Sequence, residues 1–153
     1  MFLRHPFLSV VTMGYLALVG WLTLSPQPGS ELSNPLWTLA RFFDGHRRTA
    51  WITFPVLEFV ANIAMFVPIG VFLVLLFGRR KWWLAIVVGV LLSVAIEYAQ
   101  TWLPMRVPDL RDIIANSAGV IVGTVLALLV TARAARRISR QLRADPVAAS
   151  RPA

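Results

Sequence analysis

Glu97, Gln100, Arg106, Asp109, Asp112 and Asn116 crowd into about twenty residues that join two long apolar runs. Three carboxylates that close in sequence can act as general bases or hold a divalent cation through hard oxygens. An arginine among them offers a two-pronged contact to phosphate or carboxylate, and the two amides both donate and accept hydrogen bonds. The neighbouring runs 67–77 and 86–92 contain no charge at all. An ionisable side chain at mid-bilayer costs about 2.5–3.5 kcal/mol on insertion scales. Such residues are kept beside hydrocarbon where they pair with one another or line a polar cavity, so this knot is where function is expected.

The chemistry stays open between recognition and catalysis. No nucleophile–base dyad and no HExxH-type motif accompanies the carboxylates. With no cysteine, disulfides, thiolate catalysis and Cys-ligated zinc are excluded. His5 and His46 fall outside the knot and read as ordinary surface residues. No cofactor and no metal site is assigned. Glu97 and Asp112 are the candidate catalytic groups if there is chemistry. Asn62, Glu97, Gln100, Arg106, Asp109, Asp112 and Asn116 are the candidate ligand-binding set. The competing structural account is that Asn62, Gln100 and Asn116 simply pin helices together, while Arg106 braces the loop against Asp109 or Asp112. Glu97, inside an apolar helix, is the hardest to explain that way, with Arg106 or Arg111 as its expected counter-charge. Glu58 fits an interface or the site equally well.

The elements that must position these residues follow from composition. The chain has 153 residues, 58% of them hydrophobic and 14% charged, with mean hydropathy +0.70. A soluble domain of that length cannot hide so much apolar surface. Four stretches, 7–25, 55–77, 82–103 and 113–132, are long enough to cross about 30 Å of hydrocarbon. The expectation is an all-α polytopic membrane protein, a four-transmembrane-helix bundle. Residues 1–132 form the membrane domain and 133–153 a basic cytoplasmic tail, with no repeat and no separate soluble domain. The first stretch reads as an uncleaved anchor and not a signal peptide, because Leu24-Ser25-Pro26-Gln27-Pro28 makes a poor cleavage site. In the first outer connection, Asn34-Pro35 through Gly45 reads as a short capped helix with an apolar face. It is expected to lie at the membrane surface, with a lid over the knot as the alternative.

The net charge of +8 carries no nucleic-acid motif and reads as a topology signal. Arg4, Arg79, Arg80, Lys81 and the arginines beyond residue 132 fall on one side; Arg41, Arg47, Arg48, Arg106 and Arg111 fall on the other. Both termini are then expected in the cytoplasm, and the knot gathers in the outer half. Glu97 and Gln100, at i,i+3, share a face with Ser93 and Gly89. Asp112, Asn116, Gly119 and Gly123 form a second stripe, and Glu58 and Asn62 align at i,i+4. Pro68, mid-span, is expected to kink its helix. Three helices therefore should pack through small residues and turn their polar ends toward one site. Polarity confined to one half disfavours a transporter.

These residues resemble the VanZ-like family of bacterial membrane proteins. The matching elements are Asn62-Ile-Ala-Met-Phe-Val-Pro68-Ile-Gly70, Ser93-x-x-x-Glu97-x-x-Gln100, Arg106, Asp109-x-x-Asp112-x-x-x-Asn116-x-x-Gly119 and Gly123. They cover roughly residues 57–124, with a generic first helix ending in Leu-Ser-Pro. The resemblance implies a four- or five-helix integral protein of the bacterial plasma membrane. The family's namesake is linked to low-level resistance to teicoplanin, a lipoglycopeptide that acts on cell-wall precursors outside the membrane. The favoured expectation is binding of a lipid headgroup, a lipid-linked envelope precursor or a lipoglycopeptide. An intramembrane enzyme acting on such a lipid is the second reading. Expected partners are membrane lipid and, compatibly, a homo-oligomer, with no nucleic acid.

Overall fold

The computed structural model describes residues 6–25, 34–103 and 109–144, and these form five α-helices with no strand among the described residues. They are α1 (Pro6–Leu24), α2 (Pro35–Asp44), α3 (Phe54–Phe77), α4 (Trp82–Gln100) and α5 (Leu110–Ala144). Four of them, all but α2, are long and apolar enough to cross a membrane. Phe7, Trp21, Leu91 and Val130 are among many large apolar side chains left facing outward. That surface fits surrounding lipid and not water.

Three boundaries differ from expectation. The last helix starts at Leu110 and not near 113, because Asp109 caps it: the Asp109 carboxylate accepts the Arg111 N–H at 2.9 Å. The same helix runs without a break past residue 132 to Ala144, about 52 Å at 1.5 Å per residue. That exceeds the hydrocarbon thickness, so its arginine-bearing end projects beyond the apolar stretch. The helix expected over 82–103 ends at Gln100 and closes in turns through Leu103.

The core of the bundle is the contact between α3 and α5, the most extensive in the molecule. Glycines make it possible. A side chain at Gly119 would strike the Ile63 carbonyl, and one at Gly123 the Val67 carbonyl. Gly70 answers from α3, set against Val120 and Thr124 of α5. Backbones approach this closely only where no Cβ intervenes, and packing of that kind substitutes for the hydrophobic effect inside lipid. On the other side of α5, Val120 fills the space beside Gly89 of α4. Phe66, Ile69, Val74, Ala85 and Val120 are almost completely buried between the three helices.

Helices α3 and α4 are joined at Gly78, whose φ of +81° suits a residue without a side chain. A single 3-10 turn, Arg79–Lys81, follows. Helix α1 is the least buried of the four long helices and lies against α3 and α4. The Tyr15 hydroxyl donates to the Met65 carbonyl of α3 at 2.8 Å. That carbonyl neighbours Ala64, whose own partner Pro68 removes by lacking an N–H. Asn34 caps helix α2 by accepting the Leu36 N–H at 2.9 Å, and Trp37 stacks on Phe54 at the start of α3.

Candidate functional site

The site is built on one face of α4. Ser93, Glu97 and Gln100, spaced four and three apart, are all buried. Each reaches a different element. Ser93 meets α5, where the Asn116 amide donates to its hydroxyl at 3.0 Å. Glu97 accepts the backbone N–H of Asp109 at 3.1 Å, just before α5. Gln100 donates to the Thr23 carbonyl at 3.0 Å, in the last turn of α1. From α3, the Asn62 amide donates to the Asp112 carboxylate at 2.9 Å, in the first turn of α5.

Four long helices are thus tied by their polar groups toward the end of the bundle where α1 and α4 finish and α3 and α5 begin. Glu97, Asp109 and Asp112 gather at the N-terminus of α5. The positive dipole end of that helix favours negative charge there. Asp109 is exposed, Asp112 half-buried and Glu97 5% exposed, so the three carboxylates pass from solvent into the bundle. Helix geometry supplies the sequence-level reason: only the Ser93-Glu97-Gln100 spacing keeps all three residues on the side of α4 facing its neighbours.

Of the seven expected binding residues, Asn62, Glu97, Gln100, Asp109, Asp112 and Asn116 are held at this end of the bundle. Arg106 lies outside the described residues. Glu58, one turn before Asn62 on α3, is half-buried. Arg111 is exposed. No group of His, Cys, Asp or Glu suited to a metal ion occurs among the described residues.

Three participants were not legible as such. Ser93 read as a packing residue yet is the hydrogen-bond partner of Asn116. The Thr23 carbonyl left no trace in the sequence, since any residue would carry it. Thr124, two turns beyond Asn116, is buried with its hydroxyl unpaired, and the Asn116 side-chain oxygen is unpaired as well. The spacing of Thr124 eight residues from Asn116, on the same face of α5, was the available signal. The other threonine hydroxyls in the spans bond their own helix instead: Thr12 to Leu8, Thr23 to Val19 and Thr131 to Ala127.

No curated protein and no solved structure matches the chain. The sequence profile of the VanZ/LLP1 family matches residues 12–131, from the second turn of α1 through the apolar length of α5. With four helices of spanning length and this match over most of its residues, the chain is a multi-pass membrane protein belonging to the VanZ/LLP1 family.

Proposed function

We propose that this protein binds the polar headgroup of a lipid or lipid-linked cell-wall precursor at the joined ends of α3, α4 and α5, in the outer leaflet of the bacterial plasma membrane. Both termini then face the cytoplasm. The observation that supports this reading most is Glu97, an acid buried in an apolar helix and bonded to the residue that opens α5. Fastening the start of α5 needs an acceptor at this position and not a charge. Arg106, three residues from Asp109 in sequence, is the group assigned to a phosphate or carboxylate of the ligand. The unpaired oxygen of Asn116 is a further acceptor that a reorganised site could offer. A lipoglycopeptide such as teicoplanin, which acts on the same precursors, is the drug whose potency such binding would alter.

The test is retention of undecaprenyl phosphate by the purified protein in detergent, read by native mass spectrometry. Wild type should retain it, and Arg106→Lys should weaken retention about tenfold, equivalent to about 1.4 kcal/mol. Equal retention by Arg106→Lys, Asn116→Leu and wild type would remove the headgroup site. Release of inorganic phosphate from the bound lipid would move the conclusion to the enzyme reading, with Glu97 or Asp112 as the base.

A further inference from the structure

Helix α2 and the turn after it are more than a connection. The face of α2 toward the bundle is used: Ala40 is buried and Trp37 lies flat on Phe54, ring centres 4.4 Å apart. Its opposite side leaves Leu39 and Phe42 exposed, and Trp51 beyond the turn is 69% exposed. The turn is built, not loose. Gly45 and His46 donate to the Arg41 and Phe43 carbonyls, and the Thr49 hydroxyl donates to Phe43 at 3.0 Å. Arg41, Arg47 and Arg48 stand exposed on this segment against one acid, Asp44.

The Trp37–Phe54 stack fixes the depth of the segment. Phe54 is the first residue of a spanning helix, so α2 is held at the level where hydrocarbon gives way to headgroups. Exposed phenylalanine and tryptophan are stabilised at that level, and guanidinium groups there meet lipid phosphates.

We infer that α2 and the turn through Trp51 form an anionic-lipid binding surface, with Leu39, Phe42 and Trp51 in the interface and Arg41, Arg47 and Arg48 on phosphate groups. The charge complementarity selects an anionic headgroup over a zwitterionic one. This surface stands on α2 and the turn after it and does not depend on the headgroup site at Glu97.

The absence of native cysteine allows a local probe. Ala50→Cys, at an exposed position beside Trp51, is labelled with bimane in the full-length protein and reconstituted in phosphatidylcholine vesicles. Small, equal fractions of 5-doxyl phosphatidylglycerol or 5-doxyl phosphatidylcholine then serve as quenchers. The anionic quencher should act about twofold more strongly, reflecting its enrichment at the arginines. That preference should vanish in R41Q/R47Q/R48Q and persist in R41K/R47K/R48K, which keeps the charge. Absence of quenching by either lipid would mean that the segment stands in water. Equal quenching by both, or a preference surviving removal of the charge, would likewise overturn the assignment. The basic residues Arg79–Lys81 lie at the far end of α3, about 36 Å of helix away, and do not report at this probe.

Discussion

The Glu97 carboxylate takes the N–H of Asp109 at 3.1 Å, and Asp109 in turn takes the N–H of Arg111 at 2.9 Å. The end of α4 is thereby fastened to the cap of α5. Glu97 consequently has a structural task even without a ligand. Loss of activity on its removal says nothing about chemistry unless folding is measured separately.

Glutamine and alanine should therefore behave differently at position 97. Glu97→Gln keeps an acceptor oxygen for the Asp109 N–H and forfeits the charge near the α5 dipole, a loss of about 0.3–1 kcal/mol for that dipole contact. Glu97→Ala removes the acceptor and should cost about 1.5–3 kcal/mol, the range for hydrogen bonds to charged groups. Unfolding in mixed micelles by SDS titration measures both. Equal losses would show that the Asp109 contact contributes nothing.

The glycines of the α3–α5 contact give a sharper contrast. Gly123→Ala places a methyl group on the Val67 carbonyl, which cannot move without separating the helices. Gly14→Ala on α1 meets nothing within 4 Å and gains about 1 kcal/mol of helix propensity. The first variant should lower the thermal transition in detergent markedly, by several kcal/mol of lost packing, while the second should leave it unchanged or raise it. A tolerated Gly123→Ala would mean that the two backbones are not in contact.

Much of this architecture was legible because lipid imposes strict rules. Long uncharged runs fixed the four spans, and the 3.6-residue period put Ser93, Glu97 and Gln100 on one side of α4 and Gly119 and Gly123 on one side of α5. The short helix at Asn34-Pro35 was legible from its cap and its proline. What could not be read were partners drawn from the backbone. Gln100, open between a ligand contact and a tie between helices, donates to the Thr23 carbonyl of α1, and Glu97 accepts the Asp109 N–H. Main-chain donors and acceptors are the same at every residue, so side-chain spacing cannot point to them. The start of the last helix is hidden for a related reason: Asp109 caps it through the Arg111 N–H, ahead of the apolar run that marks the span.

Asn116 and Ser93 allow packing to be separated from recognition. Their 3.0 Å bond joins α4 and α5, and double-mutant cycles on such intramembrane bonds average about 0.6 kcal/mol. A cycle of Asn116→Leu and Ser93→Ala should return a coupling of that order. Leucine also removes the unpaired Asn116 oxygen, so the single variant should fold at least nearly as well as wild type. If it folds well and still loses lipid retention, the amide serves a ligand; unchanged retention would confine Asn116 to holding the helices.

Helix α1 offers the last prediction. It is the least buried span, and two of its ties to the bundle are the Tyr15 hydroxyl on Met65 and the Thr23 carbonyl under Gln100. Tyr15→Phe deletes the first while leaving the ring available for its edge-on contact with Phe72, 5.7 Å between centres. Gln100→Leu deletes the second. Each should cost about 1 kcal/mol, the usual net worth of one hydrogen bond. The two sites are eight residues apart on α1, about 12 Å along the axis, and share no partner. Their effects should add to within about 0.5 kcal/mol in the double variant. Strong non-additivity in the same SDS titration would instead mean that α1 detaches as a unit once either tie is cut.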